Sequence, residues 1–261
     1  MAEHLIHMLS KIEFGRISRK KFLDSVDYVI ESLRKDFPYV LQVREQNSYR
    51  FELKIEGTPE VITETDPILT LLSANKTWGI RISQGFIVLQ TKKYEGFTDF
   101  INKMSNVIDA VHQHLEITHT SFIGMRYINK FPYIPGEEFK DCFKRLEFLQ
   151  PDMNEWKKAG SNLNARYVVE TEALSLNSGV MVNAPKHNAD LAELVSDIDD
   201  VTEIIGGPIA HLDIDSFFNN GELIEYNKEY IINKINTLRL NANKVFMETV
   251  SSKISKDLTK K

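Results

Sequence analysis

Apolar and polar positions alternate with two different periods along this chain, and the switches between them mark out its elements. Leu5–Phe14 mixes the two classes loosely and suits a strand. After Ser18, a residue type that caps helices, Phe22, Val26, Val29, Ile30 and Leu33 fall at three- and four-residue steps. That spacing predicts a helix with one apolar face. Phe37-Pro38 ends it, because a proline steers the residue before it away from the α region. Residues 40–43 and 49–55 alternate with period two and read as strands, with Gln46-Asn47-Ser48 as the hairpin turn between them. Residues 57–66, punctuated by Pro59 and Pro67, read as a loop.

The clearest unit follows. Trp78, Ile80 and Ile82 share one face of a strand whose other face carries Arg81 and Ser83. Gln84-Gly85 turns the chain into the apolar run 86–89. A stripe from Phe97 through Phe100, Ile101, Met104, Val107, Ile108 and Val111 to Leu115 then predicts a long helix packed on a sheet. Residues 122–133 form another strand. In the second half the pattern predicts a short amphipathic helix over 137–148 and a hairpin of 165–176 with 179–183 around Asn177-Ser178-Gly179. An acidic loop with a helical turn follows over 187–202, then a strand over 208–218 ended by Asn219-Asn220-Gly221. Ile231, Ile235, Leu238, Ala242 and Val245 mark one long last helix, fraying into a lysine-rich tail. Strand runs broken by few helices favour an α+β class, predominantly antiparallel, over a doubly wound parallel sheet. Two similar strand-rich halves, 1–135 and 136–261, are expected to make one compact unit packed by helices, the long C-terminal one included.

Composition narrows the function. With 261 residues and 42% hydrophobic positions the chain can bury a sizeable core, so disorder is not the default. A net charge of −5 argues against wrapping nucleic acid by bulk electrostatics. The lone Cys142 excludes an internal disulfide and any cysteine-based zinc site. No run approaches the length of a membrane-spanning helix, and no signal peptide is legible, which makes the cytoplasm the expected location. Walker, Rossmann, kinase and nucleophile-elbow motifs are missing, and no cofactor is expected.

Several signposts then recur in order. They are Phe37-Pro38, Trp78-Gly79-Ile80-Arg81-Ile82-Ser83 and Phe86-Ile87-Val88-Leu89, then Tyr94 with Phe97 and Phe100, Arg126-Tyr127-Ile128-Asn129, Leu212-Asp213-Ile214-Asp215, and residues 238–246 of the last helix. In this order they resemble a sporadically distributed, functionally uncharacterised family of bacterial proteins. The resemblance implies an accessory or defence-type setting and a partner-binding or regulatory role. It brings no catalytic residues with it.

The polar residues that remain are few. His211, Asp213 and Asp215 share one strand face at spacing two, and such a set can divide acid and base work or approach a metal. Its plain alternative is a polar sheet edge. Arg126 and Asn129 sit on an otherwise apolar strand. Arg126 is either an anion clamp or the partner of Glu170, Glu172 or Asp213, and the ion pair is the preferred reading because an unpaired buried charge is costly. Trp156, flanked by charges, is a contact anchor or a lid over the core. His112 and His114 are two apart on a helix and point in different directions, so they do not share a metal. The leading expectation is a non-enzymatic binding or regulatory protein whose partner is another protein. The last helix's stripe is expected on its own sheet, with homodimerisation as its other use. The alternatives are an acid–base or metal-assisted enzyme on His211, Asp213 and Asp215, and a nucleic-acid module using Arg81, Lys92 and Lys93.

Overall fold

The computed structural model describes residues 4–52, 60–136, 138–151, 153, 155–156 and 159–254. The chain runs β1 (Leu5–Phe14), α1 (Arg19–Leu33), β2 (Tyr39–Glu52), β3 (Glu60–Leu72), β4 (Trp78–Ile82), β5 (Phe86–Thr91), α2 (Phe97–Leu115) and β6 (His119–Pro132). It continues through α3 (Phe139–Cys142), β7 (Leu163–Val169), β8 (Glu172–Pro185), α4 (Ala192–Val195), β9 (Ile204–Glu225) and α5 (Lys228–Thr249). Among the described residues the nine strands form a single sheet in the order β2-β3-β4-β5-β1-β6-β9-β8-β7. Every neighbouring pair is antiparallel. This is the α+β, mostly antiparallel architecture that the alternating pattern predicts.

One sheet face carries the long helices. Ser18 caps α1 by accepting a hydrogen bond from the Lys21 backbone N–H at 3.3 Å, which satisfies one of the free donors at a helix start. Phe22, Val29 and Leu33 of α1, Phe100, Met104 and Val111 of α2, and Ile231, Ile235 and Leu238 of α5 close over Met8, Ile12, Ile80, Leu89 and Ile123 in one core. Burying such side chains contributes about 1.5–3 kcal/mol each, and this is what seats the helices. The stripe of α5 is used on its own sheet.

The opposite face is treated unevenly. Residues 187–203, between β8 and β9, form a strap across the middle of the sheet, where Leu191 and Val195 pack on Leu9, Val88 and Ile128. Over β7, β8 and the adjoining part of β9 that face is left open by the described residues, with Asn164 and Arg166 exposed on it.

Four local expectations are corrected. Gln46-Asn47-Ser48 does not turn: the three residues lie mid-strand in β2, paired with 64–66 of β3, so part of the expected loop is strand. Asn177-Ser178-Gly179 likewise runs straight through β8, and the hairpin instead turns at Glu170-Thr171, with Glu170 at φ +54°. Gly179 is needed because a Cβ there would collide with the backbone of Ser161, which crosses close by. Asn219-Asn220-Gly221 makes an irregularity within β9, which continues to Glu225. In the first two places turn-forming residue types were outweighed by a continuous strand partner. The helix expected over 137–148 shrinks to α3 and a short 3-10 turn. The strand end at 53–55, the loop start at 57–59 and the lysine-rich tail beyond 254 lie outside the described residues.

Candidate functional site

Antiparallel register decides which polar side chains meet on the open face. Arg126, Ile128 and Lys130 of β6 stand opposite Asp215, Asp213 and His211 of β9. On the other side of β9 the partners are Ser175, Asn177 and Gly179 of β8. Arg166 and Asn164 of β7 lie beyond Ser175 and Asn177. The period of two therefore gathers into one field residues that are far apart in sequence. Asn129 is excluded by the same rule. It faces the other way, is buried, and donates its Nδ2 to the Leu212 carbonyl at 3.1 Å.

Within that field most groups are committed. Arg126 forks onto Asp213, with Nε to Oδ1 at 2.9 Å and Nη2 to Oδ2 at 2.7 Å, and Nη1 reaches Asp190 of the strap at 2.6 Å. Burial opposes the charge on Arg126, but the bonds from Asp213 and Asp190 outweigh it and hold its pKa above the ordinary value. Asp213 also accepts from Asn188 Nδ2 at 2.6 Å. This is the structural ion pair preferred for Arg126 in the sequence. His211 Nε2 and Asn177 Oδ1 lie in hydrogen-bond contact at 2.9 Å, and among the described residues the buried Nδ1 has no partner. Burial, and then the nearby Lys130 charge, push the His211 pKa down to about 4. The ring is neutral at physiological pH.

Asp215 differs. Among the described residues no hydrogen bond or ion pair reaches its carboxylate, although Arg126 stands directly across the ladder. Burial pushes its pKa up to about 6, Arg126 pulls against that, and Asp213 and Asp190 add to it. Arg166 also lacks a carboxylate partner among the described residues. Its guanidinium rests 5.3 Å from the centre of the Phe217 ring, which stacks in turn with Phe122. Gly124 makes room for this, since a Cβ there would press on the Phe122 ring. Together these strands bound a groove of ≈ 310 Å³ lined by Asp215, Arg126, Arg166, Asn164, Ser175 and Asn177, with Ala165, Leu176 and Asp213. Within one strand face, then, Asp213 belongs to the scaffold and Asp215 to the groove.

Under the strap the chemistry is closed. Arg81 Nε donates to Asp197 Oδ2 at 2.6 Å and Nη1 to Glu193 Oε1 at 2.9 Å, with the Arg81 and Asp197 side chains 5% and 2% exposed. Arg44 reaches the same Asp197 at 2.7 Å. Asp199 takes Lys92 at 3.0 Å, Lys186 at 3.0 Å and His187 Nε2 at 2.9 Å. Burial disfavours the Asp199 carboxylate, yet these three donors hold its pKa well below the usual range. Lys93 pairs with Glu95 at 3.0 Å. The cations weighed as a nucleic-acid groove are thus matched by carboxylates of the same chain. Beside them His7 is fully enclosed, 5.9 Å from the His187 ring, and among the described residues neither ring nitrogen has a partner.

Trp156 is 78% exposed and does not line the groove, while residues 152, 154, 157 and 158 around it lie outside the described residues. His112 stacks on Tyr226 and His114 bonds to Ser32, so the two rings are used separately. No group of three or more His, Cys, Asp or Glu side chains among the described residues is placed to hold a metal ion. No helix among them is long and apolar enough to cross a membrane. Sequence reasoning missed Arg166, Asn164 and Ser175, whose only signal is polar alternation on a strand. It also misread Asn177, whose residue type suggested a turn. Comparison with protein-family models and with curated proteins found no match to the chain.

Proposed function

We propose that this chain is a non-enzymatic binding or regulatory protein that recruits another protein along the free edge of β7. One observation carries the reading. β7 is the last strand of the sheet, no described strand pairs its outer edge, and it exposes Tyr167, Val168 and Val169 in succession, at 49%, 66% and 69%. Proteins ordinarily blunt such edges with charge or proline, because an apolar strand with unpaired backbone groups invites another strand. The opposite edge, β2, exposes Tyr39 and Val40 at its start but carries Arg44, Glu45 and Gln46 after them, held in ion pairs and hydrogen bonds. The same proposal includes two similar strand-rich halves, 1–135 and 136–261, which adjoin at β6 and β9, and the bacterial accessory or defence-type setting that the family resemblance implies.

The test is capture of the tagged chain from its host beside a Val168→Lys/Val169→Lys variant of unchanged melting temperature. A stoichiometric protein recovered with the wild type and lost with the variant is the expected result. A partner retained by the variant, or none with either, defeats the reading. Light scattering on the purified chain separates a second copy from a foreign partner.

An acid–base enzyme on His211, Asp213 and Asp215 is the second reading, and one observation favours it. Asp215 is a half-buried carboxyl with a pKa near 6, a value suited to proton transfer. Against it, Asp213 is held by Arg126 and Asn188, and His211 by Asn177.

A further inference from the structure

The groove over β7, β8 and β9 holds two charges of opposite sign that do not meet. Asp215 and Arg166 lie two strands apart, on either side of Ser175. At the usual spacing of about 4.8 Å between neighbouring strands their backbones stand roughly 10 Å apart. Arg166 leans across β8 onto the Phe217 ring of β9, one groove-facing position beyond Asp215, and makes no hydrogen bond or ion pair with the Asp215 carboxylate. The other charges of the site are satisfied, since Arg126 is shared between Asp213 and Asp190. Among the described residues one anion and one cation are therefore left unpaired, both lining the same cavity.

From this juxtaposition we infer that the groove is a binding site for a small zwitterion, a free α-amino acid, whose ammonium lies on Asp215 and whose carboxylate lies on Arg166. The charge pattern selects against the simpler ligands. A bare amine would neutralise Asp215 but leave Arg166 unmatched, and a bare carboxylate would meet Arg166 while standing beside Asp215. A molecule with both charges on one carbon matches both and adds no net charge to a partly desolvated site. Asp215, raised by burial and without a partner, is a carboxylate whose ionised form gains most from an incoming ammonium. The amide groups of Asn164 and Asn177 and the Ser175 hydroxyl offer further hydrogen bonds along the floor. At ≈ 310 Å³ the cavity is at the small end of ligand pockets, the size range of an amino acid. When the carboxylate draws Arg166 off its ring, the ligand's side chain inherits the Phe217–Phe122 platform.

The experiment is a thermal-shift and calorimetric titration of the full chain with each of the standard L-α-amino acids. For each one that binds, the decarboxylated amine and the N-acetylated acid are titrated in parallel. At least one amino acid should raise the melting temperature by about 3–5 °C near ten times its Kd. Either charge-deleted analogue should lose about 10- to 100-fold in affinity, as should Asp215→Asn and Arg166→Gln, both of which remove the charge and keep a polar side chain in place. Failure of every amino acid to bind overturns the inference, as does binding that survives both substitutions. An amine that binds as tightly as its parent amino acid also overturns it, and would assign the groove to a lysine-like side chain of a protein partner. The β7 edge is tested by different variants, so the two proposals fail separately.

Discussion

The strapped and open regions of the same sheet face differ in one respect: whether residues 187–203 lie over them. Arg81 on β4 and Arg166 on β7 are both polar positions on alternating strands. Beneath the strap Arg81 is held by Asp197 and Glu193 and has become scaffold. Beyond the strap Arg166 has, among the described residues, only an aromatic ring. The carboxylates divide in the same way, with Asp213 bonded to Arg126 and to Asn188 of the strap, and Asp215 left facing the groove. Polar residues on a sheet face are therefore structural or available according to what covers them, and residue type does not tell the two apart.

Removing Asp197 breaks the strapped side most severely. Asp197→Ala leaves the enclosed Arg81 guanidinium without its closest carboxylate, and a loss of about 3–5 kcal/mol in urea-denaturation stability is expected. The double variant Arg81→Leu/Asp197→Leu should recover most of that loss, because the uncompensated buried charge goes with it. Leu191→Ala thins the apolar seat of the strap and should cost about 2 kcal/mol in the same assay, with the open groove unaffected.

Acid should loosen the strapped side by a comparable amount. Burial drives the His7 pKa down to about 3, with His187 and Arg126 lowering it further and Asp199 opposing. Below its unfolded value of 6.5 the unfolded chain takes up a proton that the folded chain refuses. Stability is therefore fully present above pH 6.5 and falls as pH drops towards 3. Between pH 6.5 and 5 this one site should remove about 2 kcal/mol, and His7→Gln should flatten that part of the profile.

The open side should show the opposite sign. Because the Asp215 pKa is raised from 3.8 to about 6, the folded state holds its proton more tightly than the unfolded state, and ionisation above pH 6 is unfavourable to the fold. Asp215→Asn should then stabilise the protein by about 1–2 kcal/mol at pH 7.5, with the gain vanishing near pH 4. Loss of stability on that substitution at pH 7.5 would show that Asp215 is scaffold like Asp213.

The sequence by itself determined those elements whose side chains carry a strong period against one neighbour. The stripes of α1, α2 and α5, the alternation of β4 and the turn at Gln84-Gly85 are legible because each buries an apolar face on the adjacent layer, and burial imposes its period on the residues. It also placed His211, Asp213 and Asp215 on one face, since strand geometry alone requires that. Only the tertiary structure decided the rest. Whether a short polar run turns or continues depends on a partner strand that lies elsewhere in the chain, as Gln46-Asn47-Ser48 in β2 and Asn177-Ser178-Gly179 in β8 show. Whether Arg81, Arg166, Asp213 or Asp215 is free depends on where the acidic strap comes to rest, and that is set by Leu191 and Val195 packing on three strands distant from one another in sequence. Local periodicity records burial against a neighbour, whereas the fate of a charge depends on long-range contacts that leave no period behind.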